Sequence, residues 1–287
     1  MQYHGSGQSD PGPDAAELLT WFNRSSEVTV AFSGGVDSSL VLSAAARALG
    51  PSAVHAVTAV SDSLPAGMLG RAQDLARMLG VRHSEIQTRE LDNPGYAGNG
   101  SDRCYFCKAT LLDTIAEHGY LGGGTLLVTG TNADDVRAGW RPGIRAAAER
   151  GAGTPLADTG MGKEAVRALS RRWGLPSADL PASPCLSSRI AYGIQITPQR
   201  LARVDAAETA VRRLLAAAGI PSHDLRVRDL GAEVRVEMDA TVLDAVQHLG
   251  LIPETVAAAG FDGAAVTVAA FSSGSLNSSL AAELRFR

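Results

Sequence analysis

Cysteine is scarce in this chain, with three among 287 residues. So small and odd a number cannot build a disulfide framework. The N-terminal "MQYHGSGQSDPGPD" also lacks the charged-then-apolar order of a signal peptide and reads as a loose tail, so the cytoplasm is the expected compartment. No run of about 18 apolar residues occurs, and no membrane span is expected. Basic excess is missing too: the net charge is −4 and the isoelectric point about 5.9. A surface-wide grip on nucleic acid is therefore not expected, although a local basic pocket for an anion is compatible with this balance. The six histidines (His4, His55, His83, His118, His223 and His248) form no spaced cluster and read as surface or packing residues. No internal repeat stands out. "FSSGSLNSSL" echoes "FSGGVDSSL" but has neither the paired glycines nor the aspartate, and reads as coincidence.

What is present is a chain of 45% hydrophobic residues, enough for a substantial core in one large domain or two ordinary ones. Short β-branched runs alternate with helical patterns. "EVTVAF" (27–32), "AVHAVTAV" (53–60), "VRHSEIQT" (81–88) and "TLLVTG" (125–130) read as strands. Between them, "VDSSLVLSAAARALG" and "AGMLGRAQDLARMLG" carry apolar residues at helical spacing and close on Gly50 and Gly80. A further helix is expected at "ATLLDTIAEHG" (109–119), after the cysteine segment, and another at 162–174. This alternation predicts an α/β fold with a parallel sheet covered on both faces. The Pro-rich "LPSADLPASPC" (175–185) is a candidate linker. Beyond it, Thr197 can cap and Pro198 open a helix, "LRVRDLGAEVRVEMD" alternates like a hairpin with Leu230 and Gly231 near the turn, and a helix and a last strand follow. The expected organisation is a tail at 1–19, a nucleotide-binding domain at 20–182 and a smaller α+β domain at 183–287.

Chemistry enters at "SGGVDSS" (33–39), between a strand and a helix. Gly34 and Gly35 permit a tight turn and close backbone approach to a ligand. The helix behind them offers unpaired N–H groups to a phosphate, and Ser33, Ser38 and Ser39 add hydroxyls. Asp37 would repel phosphate unless a divalent cation lay between them, so Mg²⁺ is implied. No Walker-type Gly-Lys-Ser/Thr is present, so this is not a conventional P-loop. At the end of the fourth strand "TNADD" offers Asn132, Asp134 and Asp135. Helix capping accounts for one of them, and contact with ATP or Mg²⁺ is expected of Asn132 and Asp135 because ligands bind outside the carboxyl ends of parallel strands. "RCYFCK" (103–108) by itself is ambiguous. A CxxC can be a redox pair, a zinc corner, an iron–sulfur corner or core packing.

"SGGVDSS" resembles the pyrophosphate-loop (PP-loop) signature of the ATP pyrophosphatases. Together, "RCYFCK", "TGTNADDVRAGWRPGIRAAAERGAGTPLADTGMGKEAVRALSRRWGLP", "SPCLSSRIAYG", "LRVRDLGAEVRVE" and "GSLN" are similar to the LarE family of ATP-dependent sulfur transferases, from about residue 20 to the end. The resemblance implies an adenine nucleotide alpha hydrolase-like domain and a homo-oligomer. Its substrate would be pyridinium-3,5-biscarboxylic acid mononucleotide, whose carboxylates are adenylated and converted to thiocarboxylates for the nickel-pincer nucleotide cofactor of lactate racemase. On this chain the family positions fall on Asp37, on Lys108 after the CxxC, on Arg226 and Arg228 as holders of the substrate phosphate, and on Glu208 and Glu237 as acidic residues near a divalent cation. The spacing of the two arginines puts both guanidinium groups on one strand face, a reasonable anion clamp.

The family divides on the sulfur source. In one branch a single cysteine gives up its own sulfur, and here that residue would be Cys185. In another, three cysteines hold a [4Fe-4S] cluster whose open iron carries a replaceable sulfide. Cys104, Cys107 and Cys185 fall on those three positions, so the resemblance implies the cluster branch, supplied with sulfide or another sulfur donor. Two other functions compete. A PP-loop tRNA thiolase would want a basic surface or an added RNA-binding module, and neither is evident. A non-catalytic iron–sulfur carrier or nucleotide sensor would bind ATP without releasing pyrophosphate.

Overall fold

The computed structural model describes residues 12–139, 141–181, 184–272 and 274–276. The chain divides into two compact units. The first comprises Met1–Ser61, Gly67–Glu90 and Cys104–Ala182, and the second comprises Asp62–Ala66, Leu91–Arg103 and Ser183–Arg287. Two segments from the N-terminal half thus join the second unit, which no composition shift announces.

In the first unit the strands are β1 (Val28–Ala31), β2 (Val54–Val60), β3 (Arg82–Gln87) and β4 (Leu126–Val128). They form a sheet in the order β3-β2-β1-β4, and every pairing is parallel. The helices are α1 (Gly12–Trp21), α2 (Val36–Leu49), α3 (Met68–Leu79), α4 (Arg103–Glu117), α5 (Ala133–Arg137), α6 (Pro142–Glu149) and α7 (Lys163–Arg172). Alternation along the buried strands divides their side chains between two cores. Val28, Val30, Val54 and Ala56 pack with Leu18, Leu40, Leu75 and Val166 on one face. Ala31, Val57 and Leu127 pack with Leu112, Ile115 and Ala147 on the other. The expected α/β architecture is present.

Two expectations change. The stretch expected as a tail up to residue 19 is helical from Gly12, because Ala15 and Leu18 find apolar partners and are fully buried. The tail's residues 1–11 lie outside the described residues. The helix expected from residue 109 begins at Arg103, so both cysteines of the CxxC sit within α4. Nothing in "RCYFCK" breaks a helix, and the N–H of Arg103 already closes a turn on the carbonyl of Gly100 at 3.1 Å.

In the second unit, α8 (Pro198–Ala217) precedes β5 (Leu225–Asp229), β6 (Glu233–Met238), α9 (Leu243–Leu249), α10 (Ile252–Val256) and β7 (Ala265–Ala270). Thr197 caps α8 by accepting the N–H of Arg200, with Pro198 in the first turn, as the sequence predicts. β5 and β6 form the expected antiparallel hairpin, with Gly231 at φ +93° in the connection. β7 adds parallel to β6, which gives the smaller α+β unit. Among the described residues, no helix is long and apolar enough to cross a membrane.

Candidate active site

In the order β3-β2-β1-β4 the chain moves outward from β1 on one side to β2 and β3, then crosses back to β4 on the other. Such a reversal opens a crevice at the carboxyl ends of β1 and β4. "SGGVDSS" leaves β1 there, and "TGTNADD" leaves β4.

The loop is held by its own polar groups. The N–H of Ser33 donates to the Ser38 hydroxyl at 3.3 Å, and the two hydroxyls lie 3.1 Å apart. Gly34 has φ +73°, and a β-carbon there would lie 3.3 Å from the Ala72 backbone. Conformation and space both require glycine. Gly130 at the end of β4 is tighter still, since a β-carbon would approach the backbone nitrogen of Ser38 to 2.8 Å. The two motifs therefore meet backbone to backbone. Ser33 is exposed at the loop, whereas Ser39 is fully buried. Its hydroxyl has no hydrogen-bond partner, and it lies on the core side of α2.

Asn132 joins the motifs through its side chain. Its amide donates to Asp37 Oδ1 at 2.9 Å, while its Oδ1 caps α5 by accepting the N–H of Asp135 at 3.0 Å. Burial raises the Asp37 carboxyl above its ordinary range. Asn132 and Lys163 oppose that shift, and Asp135 reinforces it. Asp134 caps a second helix, accepting the N–H of Lys163 at 2.7 Å. That bond, then the Arg137 partner, lowers its carboxyl. A β-carbon at Gly162 would lie 2.7 Å from Asp134 Oδ2, which explains the glycine before Lys163. The Lys163 amine stands 3.6 Å from Asp135 Oδ1. Capping thus absorbs Asn132 and Asp134, and Asp37 and Asp135 are left as two acidic groups that repel one another, a donor set suited to a divalent cation. Lys163 is a site residue missed in the sequence. Its signal was a lysine at the first position of a helix beside a phosphate loop.

Cys104 and Cys107 stand one turn apart on α4, an i, i+3 pair on one face. Cys104 is exposed and Cys107 half-buried, and none of the three cysteines is in a disulfide. The amine of Lys108 is lowered by burial, against the attraction of Cys107 and Cys104. α6 lies against this turn, since a β-carbon at Gly143 would meet the Cys104 carbonyl at 3.3 Å. Two thiols on one helical turn beside an amine fit two-point ligation of a cluster. Cys185 lies in the second unit, half-buried. Among the described residues, no group of three or more His, Cys, Asp and Glu is gathered as a metal site.

In the second unit β5 is buried along its whole length. Arg226 and Arg228 are 3% and 6% exposed, not a solvated face. Arg228 donates through Nε and Nη2 to Glu237 Oε2 at 3.0 and 2.8 Å, and through Nη1 to the Ser188 carbonyl at 3.1 Å. Glu208 has both oxygens on Arg189, at 2.8 and 3.2 Å, and also accepts the N–H of Val227. Each carboxylate expected beside a cation therefore has a guanidinium partner. Arg226 lies over the Phe271 ring. Burial, then repulsion from Arg189, lowers its guanidinium to about 10. Glu208 and Asp224 attract the Arg226 guanidinium, which also donates through Nη1 to the Leu225 carbonyl at 2.7 Å. Arg189 was missed in the sequence, where a lone arginine in "SPCLSSR" gave no sign of burial.

A glycine turn from strand to helix, paired serines and an aspartate at the switch point of a parallel sheet define a PP-loop ATP-binding domain, which works with ATP and Mg²⁺. The family described as asparagine synthase matches residues 23–94. Over 263 residues the chain is 41% identical to an uncharacterised protein of Synechocystis, covering 91% of this chain and 95% of that one. It is 31% identical over 266 residues to the pyridinium-3,5-bisthiocarboxylic acid mononucleotide synthase of Lactiplantibacillus plantarum, covering 92% and 94% of the two chains. A shorter stretch of 76 residues, 26% of this chain and 13% of the other, is 43% identical to the glutamine-dependent NAD(+) synthetase of Rhodobacter capsulatus. The chain belongs to the LarE family of ATP-dependent sulfurtransferases.

Proposed function

We propose that this enzyme adenylates the carboxylates of pyridinium-3,5-biscarboxylic acid mononucleotide and turns them into thiocarboxylates for a nickel-pincer nucleotide cofactor. The likeness to the bisthiocarboxylic acid mononucleotide synthase over nine-tenths of both chains carries this reading. A carboxylate oxygen attacks the α-phosphorus of ATP and pyrophosphate leaves. A sulfide equivalent then attacks the acyl carbon, the bond to the AMP oxygen breaks, and the thiocarboxylic acid loses its proton. Adenylation is needed because a carboxylate oxygen is a poor leaving group and AMP a good one.

Ser33, Gly34, Gly35 and Ser38 hold the pyrophosphate, and Ser39 supports the loop from beneath. Asp37 and Asp135 take the Mg²⁺, with Asn132 fixing Asp37 and Lys163 beside them. Arg226 and Arg228 receive the substrate phosphate. Glu208 and Glu237 hold guanidinium groups in place in this reading, instead of a cation.

Cys104, Cys107 and Cys185 are the proposed ligands of a [4Fe-4S] cluster, which when bound supplies a replaceable sulfide. Lys108 is a catalytic residue beside that site in this reading. The enzyme is further proposed to be a cytoplasmic homo-oligomer that acts on a small molecule and not on nucleic acid. Mass spectrometry of Cys185 after a reaction cycle tests the sulfur source. An unchanged mass is expected. A loss of about 34 Da, one H₂S from the thiol side chain, overturns the cluster and makes Cys185 the sacrificed donor. Pyrophosphate release that is indifferent to the pyridinium substrate overturns the substrate assignment.

A further inference from the structure

The segment 91–103 lies in the first half of the sequence but belongs to the second unit. Within it, Asn99 has φ +53°, the one positive φ outside glycine among the described residues. It is fully buried. Its side-chain amide donates to the carbonyls of Ile190, Ala191 and Ile194 at 3.3, 2.8 and 2.9 Å, and its backbone carbonyl accepts the N–H of Gly193 at 3.1 Å. Asparagine tolerates the left-handed region better than most residues. A conformation of this kind persists where surrounding contacts over-determine it.

Arg103 completes the clamp. One guanidinium nitrogen donates to Asn99 Oδ1 at 2.6 Å and to the Ser187 carbonyl at 2.9 Å. The guanidinium lies over the Tyr192 ring, and the Tyr96 hydroxyl bonds the hydroxyl of Ser187. Apart from the bond between Arg103 and Asn99, these contacts end on 187–194, which begins two residues after Cys185. On the cysteine itself, buried Arg189 holds the carbonyls of Pro184 and Cys185, and the N–H of Leu186 donates to the Ser63 carbonyl at 2.9 Å.

We propose that Asn99 and Arg103 are positioning residues for Cys185, an inference that rests on the reading of Cys185 as a ligand of the group that supplies the sulfide. The stretch 187–194 has one short 3-10 turn at 186–189 and a single isolated bridge, Ile190 to Asp229. A segment with so little ladder of its own needs outside donors to keep one conformation. The Arg103 side chain therefore fixes the carbonyl two residues after Cys185.

Peptide-resolved alkylation of Cys185 by iodoacetamide, followed across the neutral pH range in the full chain, provides the test, together with single-turnover sulfur transfer. Asn99→Gly removes the side-chain bonds and keeps the backbone free to hold its positive φ. Arg103→Met keeps a long stem but removes the donor that serves both acceptors. Both variants are expected to keep the far-ultraviolet dichroism and the KM for ATP, to change the rate and pH profile of Cys185 alkylation, and to lose about a hundredfold in transfer. Wild-type alkylation and transfer in both variants overturn the proposal. Should Asn99→Gly not fold, Tyr96→Phe, which deletes one hydroxyl, decides by the same alkylation profile. Cys185→Ser separates the two levels. Full sulfur transfer by that variant sinks the reading of Cys185, and the alkylation profile then judges the positioning alone.

Discussion

The side-chain amide of Asn132 donates to Asp37 Oδ1 at 2.9 Å across 95 residues of sequence, fastening the motif after β4 to the loop after β1. Burial and Asp135 raise Asp37, and this bond opposes them. Asn132→Ala should leave Asp37 poorly oriented for a cation and slow pyrophosphate release by about a hundredfold. The same change also removes the cap of α5 and should cost about 1 kcal/mol of stability. Asn132→Ser keeps a capping oxygen. It should recover the stability and not the rate, which urea melts and a pyrophosphate assay would separate.

Gly130→Ala places a methyl group 2.8 Å from the backbone nitrogen of Ser38, where no flexible side chain can yield. Overpacking of this kind costs about 1–3 kcal/mol. Because the displaced atom belongs to the phosphate loop, ATP binding should weaken along with the melting temperature. Unchanged calorimetric ATP affinity would contradict the contact.

Glu208 and Arg189 form a buried pair, 8% and 1% exposed at their side chains. Glu208→Ala leaves a buried guanidinium uncompensated and should destabilise by about 3–5 kcal/mol. The double change Glu208→Leu with Arg189→Leu should cost less than the single one. It should still disturb Cys185, because Arg189 also holds the carbonyls of Pro184 and Cys185. Denaturant unfolding of both variants measures the difference.

The guanidinium of Arg226, lowered to about 10 by burial and by Arg189, gains from an anion. Inorganic phosphate or a mononucleotide should therefore raise the melting temperature. Saturation at about a hundred times the Kd corresponds to about 2.7 kcal/mol. Arg226→Met should shrink the shift, leaving the part that belongs to the phosphate loop and Arg228.

His55 donates to or accepts from Ser84 at 2.8 Å and receives a bond from Arg82 at 3.1 Å. Burial, then Arg82 and His83, lower it from 6.5 to about 4. A histidine held neutral in the fold stabilises fully above its unfolded value. As pH falls from about 6.5 toward 4 the unfolded chain takes the proton first. Stability should fall over that window by at most about 1.4 kcal/mol per pH unit, and His55→Gln should flatten the slope. His55 was expected to be an ordinary packing residue. Its ring meets Tyr120 edge-on, at 4.6 Å between centroids.

The amino-acid sequence by itself determined the local elements and the phosphate loop. Period and turn chemistry need only neighbours in the chain, so the strands at 28–31 and 54–60, the capped helix at 198–217 and the turn at Gly34 were legible. Tertiary structure decided the rest. Arg226 and Arg228 read as an anion clamp on one strand face, but that β5 is buried along its whole length was decided by the fold, because alternation along one strand cannot tell what covers it. Glu208 lies among the buried Val204, Ala207 and Val211 of its helix. Its partner, Arg189, comes from another motif, and no spacing rule predicts a pair that only folding brings within 2.8 Å. The segment 91–103 joined the second unit for the same reason. Asn99 and Arg103 bond carbonyls some ninety positions away, and backbone carbonyls leave no trace in a sequence.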